Sequence, residues 1–213
     1  MELTRMKVLY FDLDGTLFDH HHSLRFAIAA MQRNYTGLTE KTVDELIDKY
    51  NIALQQAYDA YLDKVITYEE ADVRKLHLFF SSLDLPEPSL DEVQKFRDTD
   101  KAVYRKNRRA TSGSIEALAR LREHGYRIAI ITNGKPDRRI FQYAIEQLGA
   151  PLDTTCMIGD SVESDIKGAL DAQLVAIMYS PTAQNSQKLL FGQQIPIIRH
   201  MAQLLGYLGI GDH

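Results

Sequence analysis

Two kinds of apolar pattern alternate along the chain. Short, nearly continuous apolar runs lie within Lys7–Phe11, Tyr126–Ile131, Thr155–Ile158 and Leu174–Tyr179. Runs of that length suit parallel strands covered on both faces. Elsewhere the apolar residues recur at helical spacing. Leu24, Ile28, Met31 and Tyr35 do so, as do Val43, Leu46, Ile47, Tyr50, Leu54, Ala57 and Tyr61. Three capping-box spellings mark helix starts at Thr42-x-x-Glu45, Thr67-x-x-Glu70 and Ser89-x-x-Glu92. Pro86 and Pro88 break the chain before the last of these helices. About four helices are therefore predicted from about Ser23 to Asn107. The aromatics Tyr50, Tyr58, Tyr61, Phe79 and Phe80 fall at core positions of that block.

The pattern changes at Ala110-Thr-Ser-Gly-Ser114. A helix carrying Ile115, Leu118 and Leu121 ends at His124-Gly125, and glycine is favoured just past a helix end. Another opens at Pro136, carries Ile140, Phe141, Ala144, Ile145 and Leu148, and closes at Gly149. A helix is predicted around Glu163–Ala172. A last one is predicted from Ile198, Met201, Leu204, Leu205 and Leu208. Strands alternating with helices imply an α/β fold with a Rossmann-like parallel sheet. Residues 1–18 and 110–213 form that core. The all-helical block, 19–109, is inserted after the first strand as a cap and is expected to act as a lid over the strand ends.

Composition excludes some functions. The net charge is −4, so no electrostatic attraction to nucleic acid or to an anionic membrane is expected. Cys156 is the single cysteine, which excludes an internal disulfide and fits a cytoplasmic location. Glu2, Arg5 and Lys7 interrupt any leader-like apolar segment. No apolar run is long enough to span a bilayer.

Three predicted strands end in polar signatures: Asp12-Leu-Asp14-Gly-Thr16, Thr132-Asn-Gly134 and Gly159-Asp-Ser-Val-Glu-Ser-Asp165. Ligands of open α/β sheets bind outside the carboxyl ends of the strands, so the three should converge. Asp12, Asp14 and Asp160 would then repel one another, and a divalent cation such as Mg²⁺ resolves that repulsion. One carboxylate can attack phosphorus while its neighbour handles the proton. Asp19-His-His-His22 is read as the exposed entry to the cap rather than a metal site. Arg105-Lys-Asn-Arg-Arg109 is read as a solvated helix end.

These residues carry a resemblance. "FDLDGTL", "IITNG", "KPDRRIFQYAIEQLG" and "IGDSVESDIKGA" match, in order, the four motifs of the haloacid dehalogenase-like (HAD) hydrolases, in the branch with a helical cap. The spelling is nearest to 5′-nucleotidases and sugar-phosphate phosphatases. The resemblance implies a Mg²⁺-dependent phosphatase acting on a small phosphorylated metabolite. It casts Asp12 as the nucleophile and Asp14 as the general acid/base. Thr132, Asn133 and Lys135 would bind phosphate. Asp12, Asp160 and the backbone carbonyl of Asp14 would hold the metal, with Asp165 in support. Dehalogenases of the superfamily lack an acid at the position of Asp14, so its presence favours phosphoester chemistry. The alternatives are a phosphomutase of the same fold or a non-catalytic phosphate-ligand binder.

One feature departs from the family pattern. Similar proteins carry a helix and a further strand between the "TNG" strand and the "KP" helix, whereas here Asn133-Gly-Lys-Pro136 joins them directly. The sheet is then one edge βα unit short. The remaining strands are expected in the order Tyr126–Ile131, Val8–Phe11, Thr155–Ile158, Leu174–Tyr179. The exposed edge at Tyr126–Ile131 invites pairing with a second copy, a homodimer.

Overall fold

The computed structural model describes residues 3–132 and 138–211. The chain opens with β1 (Val8–Phe11), buried throughout. Four helices follow: α1 (His20–Asn34), α2 (Val43–Leu62), α3 (Tyr68–Ser81) and α4 (Leu90–Lys106). Next come α5 (Ser114–Glu123), β2 (Arg127–Ile130), α6 (Arg138–Leu148) and β3 (Thr155–Gly159). A π-helical turn, Val162–Lys167, runs into α7 (Gly168–Asp171). The chain finishes with β4 (Val175–Tyr179), β5 (Gln187–Leu190), β6 (Gln193–Ile198) and α8 (Ala202–Tyr207). Its contacts divide it into two compact units, Met1–Asp19 with Ala110–His213, and His20–Arg109. No helix among the described residues is long and apolar enough to cross a membrane.

The first unit is built on a six-stranded sheet in the order β2-β1-β3-β4-β6-β5. All neighbours are parallel except β5 and β6. The four expected strands stand in the expected order. β2 occupies one edge with β1 as its neighbour, and Ile130 there is 55% exposed. Phe11 is in register with Ile130 on one side and Ile158 on the other. Residues just past β1, β2 and β3 therefore emerge together at one end of the sheet. Two apolar layers sandwich the strands. One gathers Leu9, Phe11, Leu121, Ile158 and Leu204, and the other Val8, Tyr10, Phe141, Met157 and Ile166. Alternate residues of each strand feed opposite layers, as the pleat requires.

The tail corrects the sequence reading. Ile198 belongs to β6, not to the last helix, and the hairpin of β5 and β6 adds two unexpected strands. Its turn is Phe191-Gly192, with φ of 49° and 77°, the twist that suits a two-residue hairpin. Ile195 and Ile197 are buried, while Gln193 and Gln194 are exposed. The predicted helix at Glu163–Ala172 is also altered, because its first half is π-helical.

The second unit holds its helices by local and long-range means. All three predicted capping boxes form, with Thr42, Thr67 and Ser89 each exchanging hydrogen bonds with the glutamate three residues on. Such caps contribute about 1 kcal/mol each. Tyr50, Phe79 and Phe80 pack in its core with Leu24, Ile28 and Leu46. A buried ionic network crosses that core. Lys75 donates to Asp72 at 2.8 Å, Arg97 donates to Asp72 at 2.7 Å, and Tyr50 donates to Asp100 at 3.2 Å. Burying charge is costly unless it is paired, and here each charge meets an opposite one. His20 opens α1 with its Nδ1 2.6 Å from the Tyr104 hydroxyl, and Arg108 lies over the Tyr104 ring. His20 thus sits at the start of α1, and Arg105-Lys106 at the end of α4 as read from the sequence.

Candidate active site

Asp12 continues directly from β1, its backbone N–H donating to Ile158 O of β3 at 2.9 Å. The chain then turns sharply. Leu17 and Phe18 both donate to Leu13 O, and Gly15 donates to Phe18 O. Gly15 sits at φ 95°, where a side chain is strained. A β-carbon on Gly15 would also overlap the Asp160 carboxylate, so this position needs glycine twice over. The turn leaves Asp12 6% exposed and Asp14 exposed.

β3 delivers the second acid and the π-helical turn the third. Asp160 follows Gly159 at the end of β3. Asp165 lies on the turn and is buried, its Oδ2 accepting from the Ser161 N–H at 2.9 Å. Ser161 in turn caps the π-helical segment by accepting from the Ser164 N–H. Carboxylate oxygens of Asp12, Asp160 and Asp165 lie within 4.8 Å of one another. Asp12 Oδ2 is buried without a hydrogen-bond partner.

Three acids this close and this dry resist ionisation. Burial, then Asp165 and Asp160, push Asp12 from its ordinary 3.8 up to about 8. Burial, with Asp160 adding, pushes Asp165 up to about 7. Asp160 is also raised, first by burial and then by Asp14. An orphaned buried carboxylate oxygen facing two further carboxylates fits an oxygen-seeking divalent cation.

The linkage has a definite sign. An acid whose folded pKa is raised keeps its proton in the folded state after the unfolded chain has lost it. Its favourable contribution is complete below about pH 4 and is lost as pH rises toward 8. The slope reaches about 1.4 kcal/mol per pH unit for each such proton. We expect the melting temperature of the cation-free protein to fall, relative to that of Asp12→Asn, between pH 5 and pH 8. Parallel melting curves of the two proteins in chelator across that range would contradict the burial of Asp12.

Of the residues singled out in the sequence, the fold brings Asp12, Asp160 and Asp165 together. Asp14 stays outside this trio, close enough to influence Asp160. Thr132 is exposed just past β2, on the strand beside β1. Asn133 and Lys135 lie outside the described residues. Asp165, first read as a supporting group, stands among the metal-competent carboxylates. Sequence reasoning gave no role to Thr16 or Ser161. Their only signal was position inside two motifs.

The family model of the haloacid dehalogenase-like hydrolases matches residues 6–173. The chain belongs to that family. It is an enzyme of the hydrolase class. N-acylneuraminate-9-phosphatase of Rattus norvegicus is 28% identical over 213 residues, covering 84% of each chain. Glyceraldehyde 3-phosphate phosphatase of Pyrococcus abyssi is 24% identical, covering 82% of this chain and 81% of the relative. Among solved structures, the putative HAD-hydrolase YfnB from Bacillus subtilis superposes with a TM-score of 0.70 at 18% identity. That match covers 97% of this chain and all of YfnB. The structural likeness shows the HAD fold.

Proposed function

We propose that this HAD-like hydrolase is a Mg²⁺-dependent phosphomonoesterase acting through an aspartyl-phosphate at Asp12. The observation that carries the reading is the buried, unpartnered Asp12 Oδ2 facing Asp160 and Asp165. A group so placed has no structural partner to serve and is ready to meet a ligand. Asp12, Asp160 and Asp165, with the backbone carbonyl of Asp14, are the groups that would hold Mg²⁺. Bound there, the ion would supply positive charge against the phosphoryl oxygens and keep the acids ionised. A structure of YfnB is described as bound to magnesium, which supports this choice of ion.

The chain's own residues would then divide the work. An Asp12 oxygen attacks phosphorus, and the ester P–O bond breaks with its electron pair leaving on the alcohol oxygen. Asp14 gives that oxygen its proton. Its exposure suits a group that must exchange protons with solvent. Asp14 next takes a proton from water as the water attacks the aspartyl-phosphate, which frees inorganic phosphate and restores Asp12. Thr132, Asn133 and Lys135 would bind the phosphoryl oxygens. The names of the two relatives favour a phosphorylated sugar or sugar acid, while the motif spelling also admits a 5′-nucleotide. The buried, lone Cys156 fits a cytoplasmic enzyme.

The test is phosphate release from p-nitrophenyl phosphate, sugar phosphates and 5′-nucleotides, with Mg²⁺ and with chelator. We expect release that requires Mg²⁺ and is fastest on a sugar phosphate. Isomerised sugar phosphate without free phosphate would point to a mutase. No turnover by the folded protein, with Mg²⁺ binding retained, would point to a non-catalytic binder.

A further inference from the structure

Thr16 is fully buried in the turn after β1. It donates from Oγ1 to Asp160 Oδ1 at 3.3 Å, across 144 positions of sequence. The turn that holds Thr16 begins at Asp12, so this bond links the end of β1 to the end of β3. The third acid is held by backbone instead, the Ser161 N–H donating to Asp165 Oδ2 at 2.9 Å. Among the described residues, Thr16 is the one side-chain donor to Asp160. Its backbone cannot drift, because the Leu13–Phe18 turn is closed by three hydrogen bonds.

A hydroxyl offers one proton, so it can satisfy only one carboxylate at a time. Here that proton goes to Asp160, and it anchors the carboxylate without neutralising it. We propose that Thr16 is a positioning residue that ties Asp160 to the turn carrying the nucleophilic Asp12, holding the Asp160 carboxylate where a shared divalent cation requires it. The inference rests on the reading that this trio binds such a cation. Partners behind metal-holding groups typically alter affinity by about 10- to 100-fold when removed.

The test is Mg²⁺ titration by calorimetry without substrate, beside the Mg²⁺ dependence of p-nitrophenyl phosphate turnover. Thr16→Val keeps the shape and removes the hydroxyl. It should melt within a few degrees of wild type, bind Mg²⁺ about tenfold more weakly, and need correspondingly more Mg²⁺ for half-maximal rate. Thr16→Ser should bind Mg²⁺ within about twofold of wild type. Thr16→Ser and Thr16→Ala lose the same methyl and differ only in the hydroxyl, so this pair decides the matter if Thr16→Val does not fold. Equal Mg²⁺ affinity in the serine and alanine variants, or wild-type affinity in Thr16→Val, overturns the role of Thr16. Failure of the wild type itself to bind Mg²⁺ overturns the reading beneath it, and this inference with it.

Discussion

Asp12→Asn is expected to lower phosphate release by at least about 10³-fold while leaving the protein as stable as wild type or more so. The two halves of that expectation share one cause. Asparagine has the shape of aspartate, so the packing around this buried position is kept. It cannot act as an anionic nucleophile, so no aspartyl-phosphate forms. It also removes one of three crowded carboxylates, and with it the burial of charge and then the repulsion that push Asp12 up to about 8. Above pH 7, without a divalent cation, the variant should melt at a higher temperature than wild type. With saturating Mg²⁺ the order should narrow or reverse, because the cation stabilises only the state that binds it. Substantial turnover by a well-folded Asp12→Asn protein would remove Asp12 from the chemistry.

Gly159→Ala should damage both fold and site. Gly159 ends β3 beneath the π-helical turn, and a β-carbon there would stand 2.5 Å from Asp165 Cβ and nearer still to its carboxylate. The obstacle includes the base of the Asp165 side chain, which cannot swing away without moving the turn. Overpacking of this kind costs about 1–3 kcal/mol. Any shift of the turn also moves Asp165 away from Asp12 and Asp160, so Mg²⁺ binding should weaken by at least about tenfold. Gly206→Ala is the control. A β-carbon on Gly206 within α8 meets nothing within 4 Å, so that change should stabilise by about 0.4–1 kcal/mol. Melting curves and Mg²⁺ titrations of the two variants would separate a specific clash from a general intolerance of alanine. Equal behaviour would refute the close approach of Gly159 to Asp165.

What the sequence determined by itself was whatever local chemistry decides. The capping boxes at Thr42, Thr67 and Ser89 formed as spelled, because each closes within four residues. The four parallel strands were legible from their unbroken apolar runs, since burial on both faces demands such runs. Their order followed from the resemblance and from the rule for parallel crossovers. Asp12 was legible from its place after a buried strand and before a Gly-Thr turn.

Tertiary structure decided the rest. The β5–β6 hairpin carries Gln187, Lys188 and Leu189 in an exposed edge strand and Pro196 in its partner, so its apolar pattern is faint. It is a strand pair because β4 offers β6 a ladder, which no local signal reports. Asp14 and Asp165 differ for a similar reason. Both are aspartates inside a motif, but the turn at Gly15 leaves the first exposed, and a π-helical turn buries the second beside Asp12. The Thr16–Asp160 contact exists only because β1 and β3 are paired in the register that sets Phe11 against Ile158. Contacts between distant residues are set by strand pairing and packing, and those depend on the whole folded chain rather than on the spelling of any one segment.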